Sequence, residues 1–502
     1  MLDWSFLACS LLFGILGWFT YKTYIWPFYI SPLRKIPGPS SESLIFGHFG
    51  PLFAEESGEP QIRWVKKYGN ILKYHGVLNR PFILVTDTKI IQDIVVNQAY
   101  DFPKPPLLAL KKILGKGIGF SEGETHKRQR KMMTPAFTHS NIKEMVPTFI
   151  RVASTLTDLI EDKVDRGESK IVISPYLSKA TLDIIGIVGF NYEFNSLTSQ
   201  NELAEAYDVI WNFNTTPLAI TITILSSVIP FIRKIPISTN IRHDNAIKVV
   251  ERISMKLYKE RCQDVKENKL VGKDLLSLLI MINQDLPIEE KMTDEELKFQ
   301  IMTFLAAGHE TTSSAVSWAL HLLAQHPDEQ DLLREELVKA FPDKSNFNPT
   351  FDEINSLEYL NCIVKETLRL IPPATNIFRI NTKDTKFGDY FIPKNTTVVV
   401  PIVVLNRLPS IWGPTADNFD PKRWLNPSLI KNVTNFNYLP FNTGPRSCIG
   451  NKLATTEFKI LLSILIRNFV FQPVEGLHIK RRNDIVIKPH PYLELVISKV
   501  EA

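Results

Sequence analysis

The amino-acid sequence predicts a mainly α-helical protein that carries small β-sheets. The clearest helix starts after Thr293, because Thr293 and Glu296 form a capping-box pattern, and it continues to about His326. A second amphipathic helix covers Asn355 to Leu370 and ends before two prolines. Strand-like alternation is confined to short segments, of which Ile71 to Asp87 is typical of a hairpin. The helices therefore form the body of the fold, and the strands are additions to it.

Composition sets the broad class of the protein. The chain has 502 residues, of which 44% are hydrophobic, so it can bury a large core. Its formal net charge is +5, and lysines and arginines alternate with acids along the chain. This pattern lacks the basic stripe of a nucleic-acid-binding protein, so we expect no nucleic-acid partner. The four cysteines are scattered without a Cys-x-x-Cys pair, which argues against a zinc site and against a disulfide framework.

The N-terminal segment differs from the rest of the chain. Residues Trp4 to Tyr21 carry no charge, and this is about the minimum length for a membrane-spanning helix. Basic residues follow the segment and only Asp3 precedes it, which predicts a lumenal N-terminus and a cytosolic remainder. A cleaved signal peptide is the alternative, but the basic start and the cleavage site that it needs are not evident. We predict a transmembrane anchor over residues 1–21, a basic and proline-rich hinge over 22–40 and one large domain over 41–502.

A single cysteine lies in a turn-rich stretch that runs from Phe441 to Gly450. Gly444 and Gly450 flank Cys448, and glycines let a backbone adopt positive φ and approach a ligand closely. Arg446 can pair with an anion beside the sulfur, and the helix that follows favours a thiolate near its N-terminus. A lone cysteine is more often a small buried hydrophobe. A thiolate held in this way nevertheless suits a soft metal, haem iron included.

The spacing Phe-x-x-Gly-x-Arg-x-Cys-x-Gly, with Ala454 four residues further on, resembles the haem-binding signature of the cytochrome P-450 family. Two more family motifs occur upstream in the family's order, so the resemblance covers nearly the whole chain. It implies the cytochrome P-450 fold, with haem b between the long helix and the cysteine loop. It also implies that Cys448 is the axial ligand of the iron and that Phe441, Gly444 and Gly450 belong to the haem-binding loop.

The first upstream motif lies in the long helix. Ala307-Gly308-His309-Glu310-Thr311-Thr312 resembles the family's oxygen-activation motif, and Ala307 and Gly308 leave a shallow dent in the helix face. The resemblance implies that Glu310 and Thr311 manage protons, and Thr311 can also bond back to a helix carbonyl. A glycine-weakened core helix with a solvated acid is the alternative interpretation.

The second upstream motif is Glu366-x-x-Arg369. Residues three apart on a helix can pair, and alone this spacing usually marks a surface ion pair. Here it resembles the family's Glu-x-x-Arg motif, which locks to a downstream arginine, in this chain Arg423. Lys422 stands where the family usually has an acid. The resemblance implies that these residues support the fold and the cysteine loop without taking part in catalysis.

In the family, basic residues bind the haem propionates. The resemblance implies this role for Arg130, Arg379 and Arg446. His126 stands where the family has a tryptophan, and a histidine can still donate a hydrogen bond to a propionate.

Together these motifs imply a haem-thiolate monooxygenase of the endoplasmic reticulum membrane with a cytosolic catalytic domain. It would insert one oxygen atom from O2 into a lipophilic substrate. The family with such an anchor takes electrons from NADPH through a flavoprotein, NADPH–cytochrome P-450 reductase, with cytochrome b5 as an optional second donor. Lys127, Arg128, Lys131 and Lys452 would face this partner, and a plain solvated face is the alternative.

Two other classes share a cysteine loop of this kind. A haem-thiolate isomerase or dehydratase would convert a lipid hydroperoxide without O2, but such members tend to lack the Gly-x-Glu-Thr pattern. A non-catalytic haem sensor would consume no NADPH. Apolar segments at 102–120 and 201–236 are expected to line or cover the substrate pocket. The sequence does not define the substrate beyond its lipophilic class.

Overall fold

The computed structural model describes residues 4–106, 114–211, 221–222, 225–226, 231–232, 235–267, 269, 274–343, 346–482 and 486–500. The two predicted pocket segments, 102–120 and 201–236, lie partly outside the described residues. The described chain is mainly helical and carries small sheets, which confirms the predicted fold class.

The α-helices are numbered here in chain order. They are α1 (Trp4–Thr20), α2 (Phe49–Ala54), α3 (Glu59–Tyr68), α4 (Thr88–Gln92), α5 (Gly123–Met133), α6 (His139–Asp165), α7 (Ser174–Phe190), α8 (Glu202–Trp211), α9 (Ser238–Lys266), α10 (Leu275–Asp285), α11 (Asp294–Gln325), α12 (Pro327–Ala340), α13 (Phe351–Ser356), α14 (Glu358–Leu370), α15 (Ile402–Leu405), α16 (Pro409–Trp412), α17 (Pro427–Ile430) and α18 (Asn451–Asn468).

The strands form four small sheets in the described chain. They are β1 (Ile71–His75), β2 (Pro81–Val85), β3 (Lys170–Val172), β4 (Asn376–Ile380), β5 (Thr385–Phe387), β6 (Tyr390–Ile392), β7 (Thr397–Pro401), β8 (Phe469–Pro473), β9 (Lys480–Arg482), β10 (Lys488–His490) and β11 (Glu494–Lys499). The largest sheet has the order β1-β2-β7-β4, with a parallel pairing only between β2 and β7. The other sheets are β3-β11-β8, β9-β10 and β5-β6, all antiparallel.

The predicted hairpin over residues 71–87 is confirmed. β1 pairs antiparallel with β2, and His75 stands opposite Pro81 next to the turn. The turn is a short 3₁₀ segment, Val77–Asn79, in which Asn79 has a φ of 54°. Asparagine tolerates this left-handed conformation better than most residues do, which explains its place in the turn.

The long helix α11 runs through the helical core. Its predicted capping box is confirmed, because Glu296 N donates to Thr293 Oγ1 at 3.2 Å and Thr293 N donates to Glu296 Oε2 at 2.9 Å. The helix ends at Gln325, directly before His326 and Pro327. It packs against α7, α9 and α18, and most of its side chains are buried. Such a helix is a rigid element on which a site can be built.

The second predicted helix, over residues 355–370, is divided in the structure. α13 ends and α14 begins on either side of Leu357, whose backbone is extended at φ −66° and ψ 115°. The Glu336 carboxylate accepts the backbone N–H groups of Tyr359 at 2.7 Å and Leu360 at 2.8 Å. These two N–H groups lie at the start of the new helix, where they have no partner within the helix. A side chain that is distant in sequence therefore stabilises the start of the second helix.

The predicted transmembrane anchor over residues 1–21 is not supported. In the part of the chain that the structure describes, no helix has both the length and the apolar composition needed to cross a membrane. α1 has 17 residues, and the chain continues as a wider π-helical segment, Tyr21–Ile30, that contains Pro27.

The predicted hinge over residues 22–40 contacts β1 near its end. Lys73 N donates to the Pro37 carbonyl oxygen at 2.8 Å. A Cβ atom added to Gly38 would lie 1.9 Å from the Lys73 carbonyl oxygen, so only glycine fits there. The end of this segment is therefore fixed on the sheet.

Candidate active site

The cysteine loop is a compact turn between β-rich and helical parts of the chain. Cys448 N donates to the Phe441 carbonyl oxygen at 2.8 Å, and Ser447 N donates to the Gly444 carbonyl oxygen at 3.1 Å. Gly444 has a φ of 74°, and a Cβ atom there would lie 2.3 Å from the Val95 carbonyl oxygen. Conformation and space both require glycine at this position, as the sequence predicts.

Gly450 has a different role from the one predicted for it. Its φ is −88°, an ordinary value, so positive φ does not explain this glycine. α18 begins at the next residue, and the Gly450 N–H contacts the Cys448 thiol. The prediction of two flexible glycines is therefore right for Gly444 and wrong for Gly450, which instead brings a backbone donor to the sulfur.

The Cys448 thiol is enclosed by protein and is still accessible to solvent. Burial raises the pKa of the thiol, while the Gly450 N–H and the charge of Arg130 lower it. Arg130 also holds the loop, because its Nη1 donates to the Ser447 carbonyl oxygen at 2.5 Å. Because Cys448 is exposed, its sulfur can bind a group that lies beside the loop.

A matching accessible face lies on α11. Ala307 is exposed, and Gly308 and Thr311 are half-buried, although nearly all the surrounding helix is buried. Thr311 Oγ1 donates to the Ala307 carbonyl oxygen at 2.8 Å, which is the predicted back-bond. Phe304 and Ala315, which share this face by helical spacing, are buried above and below it. The dent expected at Gly308 is filled, because a Cβ atom there would lie 2.9 Å from Ile185 Cγ1 on α7, so Ala307 and Thr311 form the accessible part of this face.

The Glu310 side chain, unlike that of Thr311, is buried and held in an ion pair. Its carboxylate lies 2.7 Å from Lys488 Nζ and 3.3 Å from His309 Nε2, and Ser178 Oγ donates to it at 3.4 Å. Burial of Glu310 raises its pKa, but Lys488 and His309 outweigh burial and hold the pKa at about 2. Glu310 is therefore a buried carboxylate that is adjacent to Thr311 in sequence and paired with Lys488.

The predicted arginines meet in one buried cluster. Arg446 Nη1 donates to the Ser121 carbonyl oxygen at 3.3 Å, and its Nη2 pairs with the Glu122 carboxylate. Arg379 Nη1 donates to the carbonyl oxygen of the neighbouring Phe378 at 2.8 Å. Burial and the nearby Arg446 charge lower the pKa of Arg379 to about 10. Like charges held together inside a protein point to an anion that binds between them.

His126 belongs to the same cluster. It is 2% exposed, and its Nδ1 lies 3.1 Å from the Tyr100 hydroxyl. Burial lowers the pKa of His126 to about 4, with further contributions from Arg446 and the other cations. The ring is therefore neutral. It offers a hydrogen-bonding group at the position where the family has a tryptophan.

Lys104 is a site residue that the sequence did not reveal. Burial and the charges of Arg379 and Arg446 lower its pKa to about 7, and Glu122 acts in the opposite direction. Its Nζ donates to the Gly119 carbonyl oxygen. Lys104 lies in a proline-rich loop without periodicity, so no local signal marks it. Tyr100, whose ring lies 5.0 Å from the Arg446 guanidinium, was missed for the same reason.

These residues fit a haem group. Among its described members, the cluster contains one carboxylate, Glu122, and four cationic side chains, which are Lys104, Arg130, Arg379 and Arg446. Arg379 Nε and Arg446 Nε are buried and have no hydrogen-bond partner in the described chain. Two propionates would supply the missing acceptors and charge, and the accessible Cys448 thiol would supply an iron ligand.

The structure brings Glu366, Arg369 and Arg423 together, and all three side chains are 0% exposed. Arg369 Nε and Nη2 donate to the Glu366 carboxylate at 2.9 and 2.7 Å. Arg423 Nε lies 3.4 Å from the same carboxylate, and Trp424 Nε1 donates to it at 2.9 Å. Lys422 pairs outward with Glu329 and takes no part in this network.

The prediction for one member of the basic patch, Arg128, is wrong. Arg128 was expected to point outward, but it pairs with the buried carboxylate of Glu296 and donates to the Lys291 carbonyl oxygen. Lys127, Lys131 and Lys452 are exposed as predicted. Arg128 thus connects α5 to the start of α11 and is not available to a partner.

Comparison with known proteins agrees with this geometry. The family model for cytochrome P450 matches residues 37–496. Cytochrome P450 monooxygenases 205 and 128 of Postia placenta are 36% and 35% identical to the chain. The two alignments cover 88% and 95% of this chain and 87% and 93% of the relatives. Cytochrome P450 monooxygenase sphH of Aspergillus fumigatus is 32% identical over 90% of this chain and 85% of its own length.

The loop, the long helix and the cationic cluster lie within the matched range, and the relatives are similar over most of both chains. A family match over so much of the sequence applies to the whole described fold rather than to a single motif. The chain belongs to the cytochrome P450 family, and it is a monooxygenase of that family.

Proposed function

We propose that this monooxygenase inserts one oxygen atom from O2 into a lipophilic small molecule and takes its electrons from NADPH through a flavoprotein reductase. The observation that carries the proposal is the position of the accessible Cys448 thiol beside a buried cationic cluster. Arg130 connects the two, because it binds the Ser447 carbonyl oxygen and its charge acts on both Cys448 and His126. When bound, haem supplies the redox chemistry of O2 activation.

The chain's own groups hold this cofactor. Cys448 binds the iron through its sulfur, and the Gly450 N–H favours the thiolate form. Arg379, Arg446 and Lys104 would bind the propionates, since the charge of Arg446 acts on Arg379 and both charges act on Lys104. Cationic side chains around a carboxylate form charge-assisted hydrogen bonds, which are stronger than neutral ones.

Thr311 and Glu310 control protons at the reacting oxygen. The Thr311 hydroxyl lies on the accessible face and is held by the Ala307 carbonyl oxygen. It gives its proton to the reacting oxygen and regains one from the Glu310 carboxyl group, so the hydroxyl is unchanged after each transfer. Glu310 is the next residue towards the N-terminus, so rotation about its side-chain bonds moves its carboxyl group from Lys488 towards Thr311. A positioned acid of this kind contributes about 10²–10⁴-fold to a proton-transfer step.

The substrate meets the face formed by Ala307 and Thr311. Ala307 presents no polar side-chain surface, which favours an apolar substrate such as a fatty acid, sterol, terpenoid or xenobiotic. A screen of such compounds for binding spectra on the purified holoenzyme identifies the class. Binding confined to small polar compounds would contradict the lipophilic assignment.

The exposed apolar side chains of α1 support association with the endoplasmic reticulum membrane. Phe6 and Phe13 are 73% and 74% exposed, and such surface favours a lipid environment over water. Removal of residues 1–21 should release the protein from microsomes without loss of haem. Equal microsomal binding of the full and shortened chains would contradict this role.

An acidic reductase surface would bind the exposed Lys127, Lys131 and Lys452. Lys127 and Lys131 pair with Glu124 and Glu290 in the free protein, and exposed pairs of this kind exchange partners at little cost. The change of Lys127 and Lys131 to Glu should slow reduction by the reductase and leave substrate binding unchanged. Reduction rates that do not vary with ionic strength would contradict a docking role for this patch.

The experiment that tests the proposed function uses the holoenzyme, a flavoprotein reductase, NADPH and isotopically labelled O2. The account predicts one labelled oxygen atom per product molecule and equal consumption of NADPH and O2 when coupling is complete. Product without NADPH or O2 would place the activity in the isomerase class. Haem binding without any turnover across the substrate screen would favour a sensor.

A further inference from the structure

A buried charged group surrounds Glu310 on α11. From α11 itself come Glu310 and His309, from α7 comes Ser178, and from β10 comes Lys488. On α8, Asp208 is exposed, and the charges of Lys488 and Glu310 both act on it. The Glu310 carboxylate therefore has partners from three elements, α11, α7 and β10.

Glu310 is held by Lys488 and His309. Lys488 Nζ lies 2.7 Å from Oε2, and His309 Nε2 lies 3.3 Å from Oε1. The other ring nitrogen of His309, Nδ1, lies 2.5 Å from the Leu305 carbonyl oxygen. The Lys488 ammonium group satisfies the carboxylate as an anion, which is the form that can accept a proton.

Lys488 is the member of this group that the rest of the fold fixes in place. The preceding residue, Ile487, has its carbonyl oxygen bound by Ser314 Oγ at 2.6 Å and by Trp318 Nε1 at 3.2 Å. Ser314 and Trp318 lie one and two turns beyond Glu310 on α11. The strand that carries Lys488 is therefore tied to the helix that carries Glu310, and the distance between their charges is set by backbone contacts.

We propose that Lys488 is a positioning residue for the proton path of this enzyme, and that its charge keeps Glu310 ionised and ready to accept a proton from solvent. In one transfer, a hydronium ion gives its proton to the Glu310 carboxylate and becomes water. Glu310 then releases this proton towards Thr311 and returns as a carboxylate to Lys488. Lys488 gives up no proton, so each cycle carries one proton inward and leaves both side chains unchanged.

This inference rests on the proposed role of Glu310 in oxygen chemistry, but it assigns a residue that no sequence motif contains. Lys488 lies 178 positions after Glu310 in the sequence, in the short strand β10. A purely structural Lys488 would affect stability and haem content alone. A positioning Lys488 changes the ionisation of Glu310 and the use of protons during turnover.

The first test measures ionisation directly in the holoenzyme. Infrared difference spectra of wild type should show no protonated carboxyl band from Glu310 near neutral pH, since its pKa is about 2. Lys488→Met removes the largest stabilising charge, so burial dominates and a protonated band should appear. The same band should be absent from Lys488→Met combined with Glu310→Gln, which assigns it. No band in Lys488→Met would overturn the proposal.

The second test measures the ratio of product to NADPH consumed and the solvent isotope effect on product formation. Lys488→Met should lower the ratio on the order of tenfold and raise the isotope effect. Lys488→Arg should restore much of the ratio because it keeps the charge. The combination with Glu310→Gln should be no worse than Glu310→Gln alone, since Lys488 acts through Glu310.

The matched control is Lys298→Met. Lys298 also joins α11 to a neighbouring element, by a 3.6 Å ion pair with Glu251, and its side chain is 18% exposed, as is that of Lys488. This control should keep the wild-type coupling ratio and isotope effect. Equal values for Lys488→Met and Lys298→Met would overturn the proposal. Lys488→Gln replaces Lys488→Met in both tests if the latter does not incorporate haem.

Failure of the proposed function gives a different result. If wild type forms no product from any compound in the screen, the monooxygenase proposal fails and the coupling test has no baseline. The infrared test still reports whether Lys488 controls the ionisation of Glu310. An active wild type with unaltered Lys488 variants instead overturns only the role of Lys488.

Discussion

Arg130 donates a hydrogen bond of 2.5 Å to the Ser447 carbonyl oxygen, directly before Cys448 in the chain. A second contact joins Arg130 Nη2 to Ser447 Oγ at 3.3 Å. The two residues are 317 positions apart, so this contact fixes α5 to the cysteine loop. The charge of Arg130 lowers the pKa of the Cys448 thiol, which also favours the thiolate form. One side chain thus links the predicted propionate cluster to the predicted iron ligand.

Loss of this link should weaken haem binding. Arg130→Met removes a charged donor from the loop, and hydrogen bonds to charged groups contribute about 1.5–3 kcal/mol, or roughly 10- to 100-fold in equilibrium terms. We expect haem to transfer to an acceptor protein at least about tenfold faster from Arg130→Met than from wild type. Arg151→Met is the control, because Arg151 forms an exposed pair with Glu193. Equal transfer rates for the two variants would show that Arg130 has no such role.

The Glu366 network should be worth several kcal/mol in stability. Glu366→Gln keeps the shape of the side chain but leaves the buried guanidinium groups of Arg369 and Arg423 without their counter-charge. Breaking a buried pair in this way costs about 3–5 kcal/mol. We expect a clearly lower temperature of half-unfolding and partial loss of haem. Glu193→Gln, in an exposed pair, should cost about 0–1 kcal/mol.

Features with local causes were predicted well from the sequence. The capping box of α11 depends on Thr293 and Glu296, three residues apart, and the hairpin depends on alternation within residues 71–87. The Gly444 turn is equally local. The physical determinants of these features lie within one window of sequence, so the pattern contains them.

Features with distant causes were missed. The break at Leu357 depends on Glu336, and the inward turn of Arg128 depends on Glu296. Lys104 and Lys488 join their sites only through the tertiary fold, from a loop and a short strand without informative spacing. In each case the partner is far away in the chain, and periodicity carries no information about it.

Acid should destabilise the folded protein through His75. This side chain is 2% exposed, both ring nitrogens lack hydrogen-bond partners in the described chain, and burial lowers its pKa to about 4. The unfolded chain binds this proton near its ordinary pKa of about 6.5, so the unfolded state gains stability as the pH falls from about 6.5 to about 4. The loss can reach about 3 kcal/mol.

His75→Phe tests this pH dependence, because it keeps the stacking on Phe28 and cannot bind a proton. Its temperature of half-unfolding should fall less between neutral pH and about pH 5 than that of wild type. A parallel decline in both proteins would show that His75 does not set this part of the acid sensitivity.

Thr311 should control the fate of reduced oxygen. Thr311→Ala leaves the haem-binding residues untouched and removes the hydroxyl on the accessible face. We expect normal substrate binding and first reduction, with more hydrogen peroxide and less product for each NADPH consumed. Thr312→Ala is a close control, because Thr312 makes the same back-bond at 3.2 Å but is buried. Equal coupling in wild type and Thr311→Ala would remove Thr311 from the proton path.

The central claim is that the Cys448 sulfur binds the haem iron as a thiolate. The measurement is the Soret band of the reduced carbon monoxide complex in wild type, Cys448→Ala and Cys448→His, with Cys362→Ala as a control cysteine that is buried elsewhere. The account predicts the red-shifted band of a thiolate complex in wild type and Cys362→Ala and its absence from both Cys448 variants. A red-shifted band that persists in Cys448→Ala would contradict the account.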